Sequence, residues 1–338
     1  MFNRKCLLSF AVVLLITTVW AAPSNNGVLT IAIAGDLMLN GIHSEGSNNF
    51  LSSVAPIFNS ADVAFANLET PLTLRGTQTP RKSAEELRKR SQYILRGKPF
   101  CAKQIAEAGI DIVSCANNHM MDWGLVGMRE TLSSLDKAKV KHSGVGGTWQ
   151  AACEPAIVTS KGVRIAFLSY LAFRGSSALR TCTPAQKAAA GIAVIPCDGS
   201  TITPEGLSVL QNDISNARSR AELVFVSFHW GNQGEPQPTV YQKALGRKAI
   251  DLGADMVIGH HPHVLQPTET YKGKPIFYSL GNFVAPNCRG RLGETLIAVT
   301  SWQGRKLTNI SLHPVRIVGG LPKLVDRSSF KQKLRKSH

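Results

Sequence analysis

Short apolar runs punctuate the chain, and each closes on polar or glycine-rich residues. They cover 28–35 (VLTIAIAG), 61–69 (ADVAFANLE), 110–118 (IDIVSCANN), 163–171 (VRIAFLSYL), 223–231 (LVFVSFHWG), 254–263 (ADMVIGHHPH) and 275–284 (PIFYSLGNFV). Runs of this length and punctuation predict buried strands. Amphipathic stretches separate many of them and predict helices over 98–109, 123–139 and 240–253; the last has Ala244 and Ile250 on one face and a glycine at its end. Strand–helix alternation predicts an α/β core. The stretch 294–320 changes character and reads as a β-hairpin with its turn near QGRK (303–306). No internal repeat or long low-complexity linker divides the chain. One domain over 28–320 is therefore expected, with a basic, disordered tail over 321–338. Segments 75–98 and 175–205 read as excursions from the core.

The first residues do not belong to that core. A basic MFNRK is followed by an apolar run and then by VWAAPS. This order predicts a secretory signal over 1–21, with Val19 and Ala21 at the small-residue positions before the cut. The rival, an uncleaved membrane anchor, needs about 20 apolar residues, and this run is shorter. A secreted or periplasmic location is expected. Export would leave Cys101, Cys115, Cys153, Cys182, Cys197 and Cys288, an even set that permits disulfides in an oxidising compartment. Cys182 and Cys197 flank a small insert and are the expected pair; Cys115 ends an apolar strand and reads equally well as a buried thiol. The absence of a CxxC pair argues against a cysteine zinc site.

With 38 Lys and Arg against 22 Asp and Glu, the formal net charge is +16. Basic residues gather at 81–98 and at the C-terminus, a field that favours anionic partners: acidic polymers, phosphates or the headgroups of a membrane surface. Nothing resembles a nucleic-acid-binding motif, and aromatics are only 7%, so nucleic acid is not expected as a partner.

The ends of the predicted strands carry the chemistry. In open α/β sheets ligands sit beyond the carboxyl ends of the strands. There the chain places Asp36, then Asn67 and Glu69, then Asn117, Asn118 and His119 with Asp122 following, then His229, then His260, His261 and His263, then Asn282. Singly, each has a plain reading as a turn, a cap or a satisfied buried histidine. Together they supply carboxylate, amide and imidazole donors at nearly every strand end. Such donors suit hard to borderline divalent ions, so one or two manganese, zinc or iron ions are expected. Asp122 is expected to cap the helix starting near Trp123.

In these blocks the chain resembles the CapA/PgsA family of capsule and poly-γ-glutamate biosynthesis proteins. The residues that carry the resemblance are AGDLMLNG (34–41), FANLETPLT (65–73), SCANNHMMDWG (114–124), VSFHWGNQ (226–233) and the long stretch 253–284. It implies the calcineurin-like metallophosphoesterase fold, a four-layer α-β-β-α sandwich of two packed mixed sheets. It also implies a ligand set. Asp36 matches the first metal block, Glu69 the bridging carboxylate, Asn118 a ligand, His119 the catalytic histidine, His229 the lone histidine, and His261 with His263 the last block. In that last block an extended backbone would aim the two rings differently. His260 is the alternative to His261, or a neighbour that orients a ligand. The first block departs from the superfamily pattern: Met38 stands where a histidine is expected, so one metal site should be weakened or absent. Arg96 and Arg174 lie beside matched blocks and are candidates for binding an anionic substrate, and Glu235, which follows HWGNQG, is expected to face the cleft.

The function so implied is a metal-dependent hydrolase linked to capsule or poly-γ-glutamate. Water activated by the ions would attack phosphorus or a carbonyl, and His119 would assist the oxyanion or the leaving group. The substrate would be a phosphoester or the anionic polymer, and polymer synthesis or export machinery would be the partner. The alternative is a non-catalytic, polyanion-binding accessory subunit, which Met38 and the basic charge favour. A polysaccharide deacetylase also uses Asp and His ligands, but it predicts a different order and explains ANNH and NLE poorly.

Overall fold

The computed structural model describes residues 27–42, 49–172, 183–198, 201–286 and 288–326. The predicted signal over 1–21, Arg174, Cys182 and most of the expected tail lie outside these residues. No helix among the described residues is long and apolar enough to cross a membrane.

Two mixed sheets form the centre. The larger has eight strands: β1 (Leu29–Leu37), β2 (Val63–Leu68), β3 (Ile112–Ser114), β4 (Lys141–Ser143), β13 (Asn282–Val284), β14 (Glu294–Gln303), β15 (Lys306–Val318) and β16 (Leu321–Leu324). Their order is β16-β15-β14-β1-β2-β3-β4, with β13 pairing β1 off this path. The smaller runs β11-β12-β10-β9-β7-β6, built from β6 (Ala156–Ser160), β7 (Val163–Ala172), β9 (Leu223–Trp230), β10 (Met256–His260), β11 (Thr268–Tyr271) and β12 (Lys274–Phe277). A minor pair joins β5 (Val145–Gly146) to β8 (Gly191–Ile192).

The apolar runs form strands because both of their faces are covered. In β1, Ile31 and Ile33 pack between the sheets, whereas Ala32 and Ala34 face helices. The intersheet core also takes Phe65 from β2, Phe167 from β7 and Phe225 from β9, with Phe65 stacked on Phe167 at 5.2 Å. On the outer face of the larger sheet lie α1 (Ala55–Ser60), α3 (Cys101–Glu107) and α4 (Gly124–Lys137), contributing Phe58, Ile105 and Leu135. On the outer face of the smaller sheet lie α5 (Trp149–Cys153), α6 (Pro204–Arg220) and α7 (Val240–Asp251), contributing Ala152, Ile214 and Leu245. The result is the four-layer sandwich implied by the resemblance. The short helix α2 (Ala84–Arg88) lies in the basic segment and buries no residue.

The predicted run 275–284 is two strands in two sheets. β12 belongs to the smaller sheet and β13 pairs β1 in the larger. The chain turns between them at Gly281, whose φ is 74°. The run 110–118 yields only the three residues of β3, and its remainder forms the turn that carries Asn117 to His119. The expected hairpin forms from β14 and β15, with Gln303 paired to Lys306. β16 then extends the sheet past residue 320, into the stretch expected to be tail.

The expected partner of Cys182, Cys197, is a buried free thiol, as are Cys115 and Cys153. Burial pushes all three thiols up.

Candidate metal centre

The carboxyl ends of both sheets converge on one buried site. Parallel pairing of β1 with β2 sets Asp36 opposite Asn67, and pairing of β1 with β13 sets it opposite Asn282. Parallel pairing of β9 with β10 sets His229 opposite His260. Gly35 permits the close approach at β13, since a Cβ there would lie 2.0 Å from the carbonyl oxygen of Gly281, the group that accepts the Asp36 N–H at 3.0 Å.

Glu69 is the centre of the constellation. It is fully buried, and its Oε1 has no hydrogen-bond partner. Three imidazole nitrogens surround that oxygen: Nε2 of His263 at 3.6 Å, of His229 at 3.7 Å and of His119 at 3.9 Å. These gaps are too long for hydrogen bonds. They are close to the roughly 3.4 Å that separates two donors each about 2.1 Å from one tetrahedral ion.

Among the described residues two groups could hold an ion: Asp36, Glu69 and His263, and Glu69, His229 and His261, with the donor atoms of each within 4.8 Å of one another. Glu69 is common to both, the placement of a bridging carboxylate. Asn118 joins the second group, its Oδ1 lying 2.9 Å from His229 Nε2, and His261 Nδ1 lies 3.1 Å from that same nitrogen. Oxygen and imidazole donors without thiolate fit a borderline divalent ion.

The backbone confirms that the histidine turn is unusual. His261 and His263 have φ of 92° and 58°, a region where non-glycine residues cost on the order of 1–3 kcal/mol each. The extended conformation expected at 261–263 is therefore corrected. Left-handed residues on either side of Pro262 turn both rings inward. His260 ends β10 in regular geometry, and its Nδ1 lies 3.0 Å from Asp36 Oδ1. It touches Asp36 of the first group and belongs to neither group of donors.

Electrostatics follow from this crowding. Burial would raise Asp36, but the hydrogen bonds and charges of His260 and His263 outweigh it and hold the carboxyl well below its ordinary range. Burial pushes Glu69 up to about 8. Burial lowers His229 and His261, aided by neighbouring imidazoles. His263 goes the other way: burial opposes its charge, yet Glu69 and Asp36 raise it to about 9. His263 thus lies between two carboxyl groups, with Nδ1 3.1 Å from Asp36 Oδ2 and Nε2 3.6 Å from Glu69 Oε1.

His119 occupies the opposite wall. Its Nδ1 lies 2.8 Å from Asp122 Oδ2 and 3.1 Å from Lys82 Nζ. The nearer carboxylate accepts only, which favours the Nδ1–H tautomer and leaves Nε2 facing Glu69. Burial, then the Lys82 charge, push this imidazole down to about 4. Asp122 is not the helix cap expected of it. Trp123 occupies the N-cap of α4 without a side-chain cap bond, while Asp122 accepts from His119, Lys82 and the Leu95 N–H.

Supporting polar groups complete the site. Asn67 Nδ2 donates to Asp36 Oδ1 at 2.9 Å and weakly to Glu69 Oε2. Asn117 Oδ1 accepts from the backbone N–H groups of His119 and Met120, which fixes the ANNH turn. Asn282 donates to the Leu292 carbonyl and lies against His263. Met38, half-buried just past the end of β1, brings neither a carboxylate nor an imidazole to the site. Glu235 is exposed and makes local bonds with Gln237 and Gln266. Arg96 stacks on Trp123, its guanidinium carbon 3.0 Å from the ring centroid. Lys82, part of a segment read as an excursion, had no sequence signal marking it as buried.

Residues 30–287 match the family described as bacterial capsule synthesis protein PGA_cap. The chain is 30% identical over 316 residues to the PGA biosynthesis protein CapA of Bacillus subtilis (strain 168), covering 91% of this chain and 77% of that protein. It is also 30% identical over 319 residues to the capsule biosynthesis protein CapA of Bacillus anthracis, covering 91% and 72%. Among solved structures, a hypothetical protein from Thermus thermophilus superposes with a TM-score of 0.50 at 16% identity, over 85% of this chain and 98% of that one. This last likeness concerns the fold.

Proposed function

Because the chain belongs to the bacterial capsule synthesis protein family, we propose that it acts in capsule or poly-γ-glutamate biosynthesis as an exported, metal-dependent hydrolase. The observation that carries this reading is Glu69: a fully buried carboxylate shared by two groups of metal-competent side chains, with one oxygen left without a hydrogen bond. Asp36, Glu69 and His263 would hold one ion. Glu69, Asn118, His229 and His261 would hold the other. Divalent ions at such positions supply Lewis acidity and lower the pKa of water.

The chain's own residues do the rest. Asn67 and His260 fix the Asp36 carboxylate. Asn117 fixes the turn that presents Asn118 and His119. His119, neutral and with Nδ1 directed at Asp122, offers Nε2 as a proton acceptor toward the centre; this assigns it to proton removal before leaving-group protonation. The substrate class is a phosphoester or an amide of an anionic polymer, which the +16 charge would attract.

The test is elemental analysis with assays of a phosphodiester and of poly-γ-glutamate, each with added manganese, on wild type and His261→Ala. The expected result is at least one ion per chain and turnover that the substitution abolishes. A wild type without metal in saturating manganese would overturn the reading.

A second reading has its own support. A relative in Mycobacterium tuberculosis (strain ATCC 25618 / H37Rv) is described as a probable polyglutamine synthesis accessory protein, and the basic charge suits polyanion binding without turnover. Salt-sensitive binding of poly-γ-glutamate by metal-free protein, with no cleavage of either substrate, would favour it.

A further inference from the structure

Among the cations of the basic segment 81–98, Arg81, Arg88, Lys89 and Arg90 are exposed, and Arg96 and Lys98 are half-buried. Lys82 is the exception. It is 2% exposed, between an exposed Arg81 and an exposed Ser83. Burying an ammonium is costly unless it is paired and hydrogen-bonded, and Lys82 is both. Its Nζ donates to Asp122 Oδ1 at 2.5 Å and to the Tyr93 carbonyl at 2.9 Å, and it lies 3.1 Å from His119 Nδ1. The backbone just after it is fixed by a capping box, in which Ser83 and Glu86 bond reciprocally at the start of α2. Asp122 Oδ2 is left to the Leu95 N–H and to His119, each at 2.8 Å. One carboxylate oxygen thus serves the lysine, and the other serves the imidazole.

We propose that Lys82 is a positioning residue that fixes the Asp122 carboxylate and, through it, the ring orientation and tautomer of His119. A purely structural tie could have used an apolar side chain. A carboxylate held on one oxygen only could rotate and offer either oxygen to His119. With Oδ1 occupied by a buried cation, rotation would break a charge-assisted bond, so Nδ1–H stays directed at Oδ2 and Nε2 stays aimed at the centre. The inference rests on the hydrolase reading for its catalytic consequence, but the placement of the ring can be read without any turnover.

The test is histidine and lysine side-chain 15N NMR on the full chain, metal-free and zinc-loaded, for wild type, Lys82→Met and Lys82→Arg. Wild type is expected to show a single Nδ1–H tautomer for His119 and a Lys82 ammonium protected from solvent exchange. Lys82→Met is expected to give mixed or solvent-exchanging His119 signals. With retained metal, its kcat should fall roughly 10- to 100-fold, with KM changed much less. Lys82→Arg, which keeps the charge, should restore the single tautomer. A folded Lys82→Met with the wild-type His119 spectrum would overturn the proposal and leave a structural staple. Should that variant fail to fold, a wild-type Lys82 ammonium that exchanges as fast as surface lysines would overturn it equally. No turnover in wild type, with the NMR signals as expected in all three proteins, would count against the hydrolase reading alone.

Discussion

Two carboxylates with no solvent exposure lie at opposite ends of the strands, and their surroundings differ in kind. At the amino end of β10, Asp255 accepts from Arg218, Lys274, Arg305 and the Val224 N–H. Burial would raise it, but these bonds and charges hold it below its ordinary value of 3.8. At the carboxyl end, Glu69 keeps an oxygen with no hydrogen bond, ringed by imidazoles, and burial pushes it up to about 8. A carboxylate that serves the fold is saturated by the protein itself. Glu69 is left unsaturated, and the imidazoles around it are spaced as the donors of one ion would be.

The largest effect should come from the unsaturated end. Glu69→Gln keeps volume but removes the shared anionic ligand. Metal content should fall, and hydrolytic activity should drop by more than roughly 100-fold, since even indirect partners of metal ligands cost 10- to 100-fold. Stability should move the other way. An acid whose folded pKa is raised opposes folding as pH climbs from its ordinary 4.5 toward about 8. The metal-free variant should therefore be more stable than metal-free wild type by about 1–3 kcal/mol at pH above 8, read by urea denaturation. A metal-free Glu69→Gln that is clearly less stable would mean that Glu69 serves the fold as Asp255 does.

Metal uptake should also displace protons. Glu69 at about 8 and His263 at about 9 must both lose a proton to bind, whereas His229 and His261 are already neutral. Affinity should climb by up to about two decades per pH unit below 8, by about one decade between 8 and 9, and level off above. Calorimetry in buffers of different ionisation enthalpy measures the released protons directly. An affinity that does not change with pH across this window would show that the site is not protonated in place of an ion.

At the saturated end, Asp255→Asn should cost stability and leave metal content alone. Breaking a buried ion pair costs about 3–5 kcal/mol. Here the side chains of Arg218, Lys274 and Arg305 are 25%, 21% and 53% exposed, so water recovers part of it and about 2 kcal/mol is expected. The contribution of Asp255 is complete above its ordinary 3.8 and is lost as pH falls through its lowered folded value. Wild type and variant should therefore converge in strong acid, as urea melts across pH would show.

The same contrast explains what the sequence made legible. Strand ends were readable because parallel strands buried on both faces make continuous apolar runs, so Asp36, Glu69, Asn118, His229 and the histidine turn could be named together. Local pattern carries no register. The run 275–284 gave no sign that it crosses from one sheet to the other, so the alignment of Asn282 with Asp36 was not foreseeable. Nor did GHHPH disclose the left-handed φ of His261 and His263. Lys82 looked like any other cation of a basic segment, and Asp255 like a residue at a strand's start. Burial of a charge depends on contacts distant in sequence, here Lys82 with Asp122 and Asp255 with Arg218 and Arg305.

The smallest effect tests how firmly the basic segment is held against the His119 wall. Trp123 does two things there: its Nε1 donates to the Leu95 carbonyl at 2.8 Å, and its ring lies under Arg96. Trp123→Phe removes the bond and keeps an aromatic face. A single hydrogen bond contributes about 0.5–1.5 kcal/mol, so a loss near 1 kcal/mol is expected, with metal content unchanged. Trp123→Ala also removes the cation–π contact, which adds roughly 0.5–2 kcal/mol. The Leu95 N–H still binds Asp122 in both variants, so the segment should stay docked and His119 should keep its orientation. If Trp123→Phe instead costs as much as Asp255→Asn, the segment depends on that one indole bond. The saturated carboxylate at Asp122 would then not be enough to anchor it.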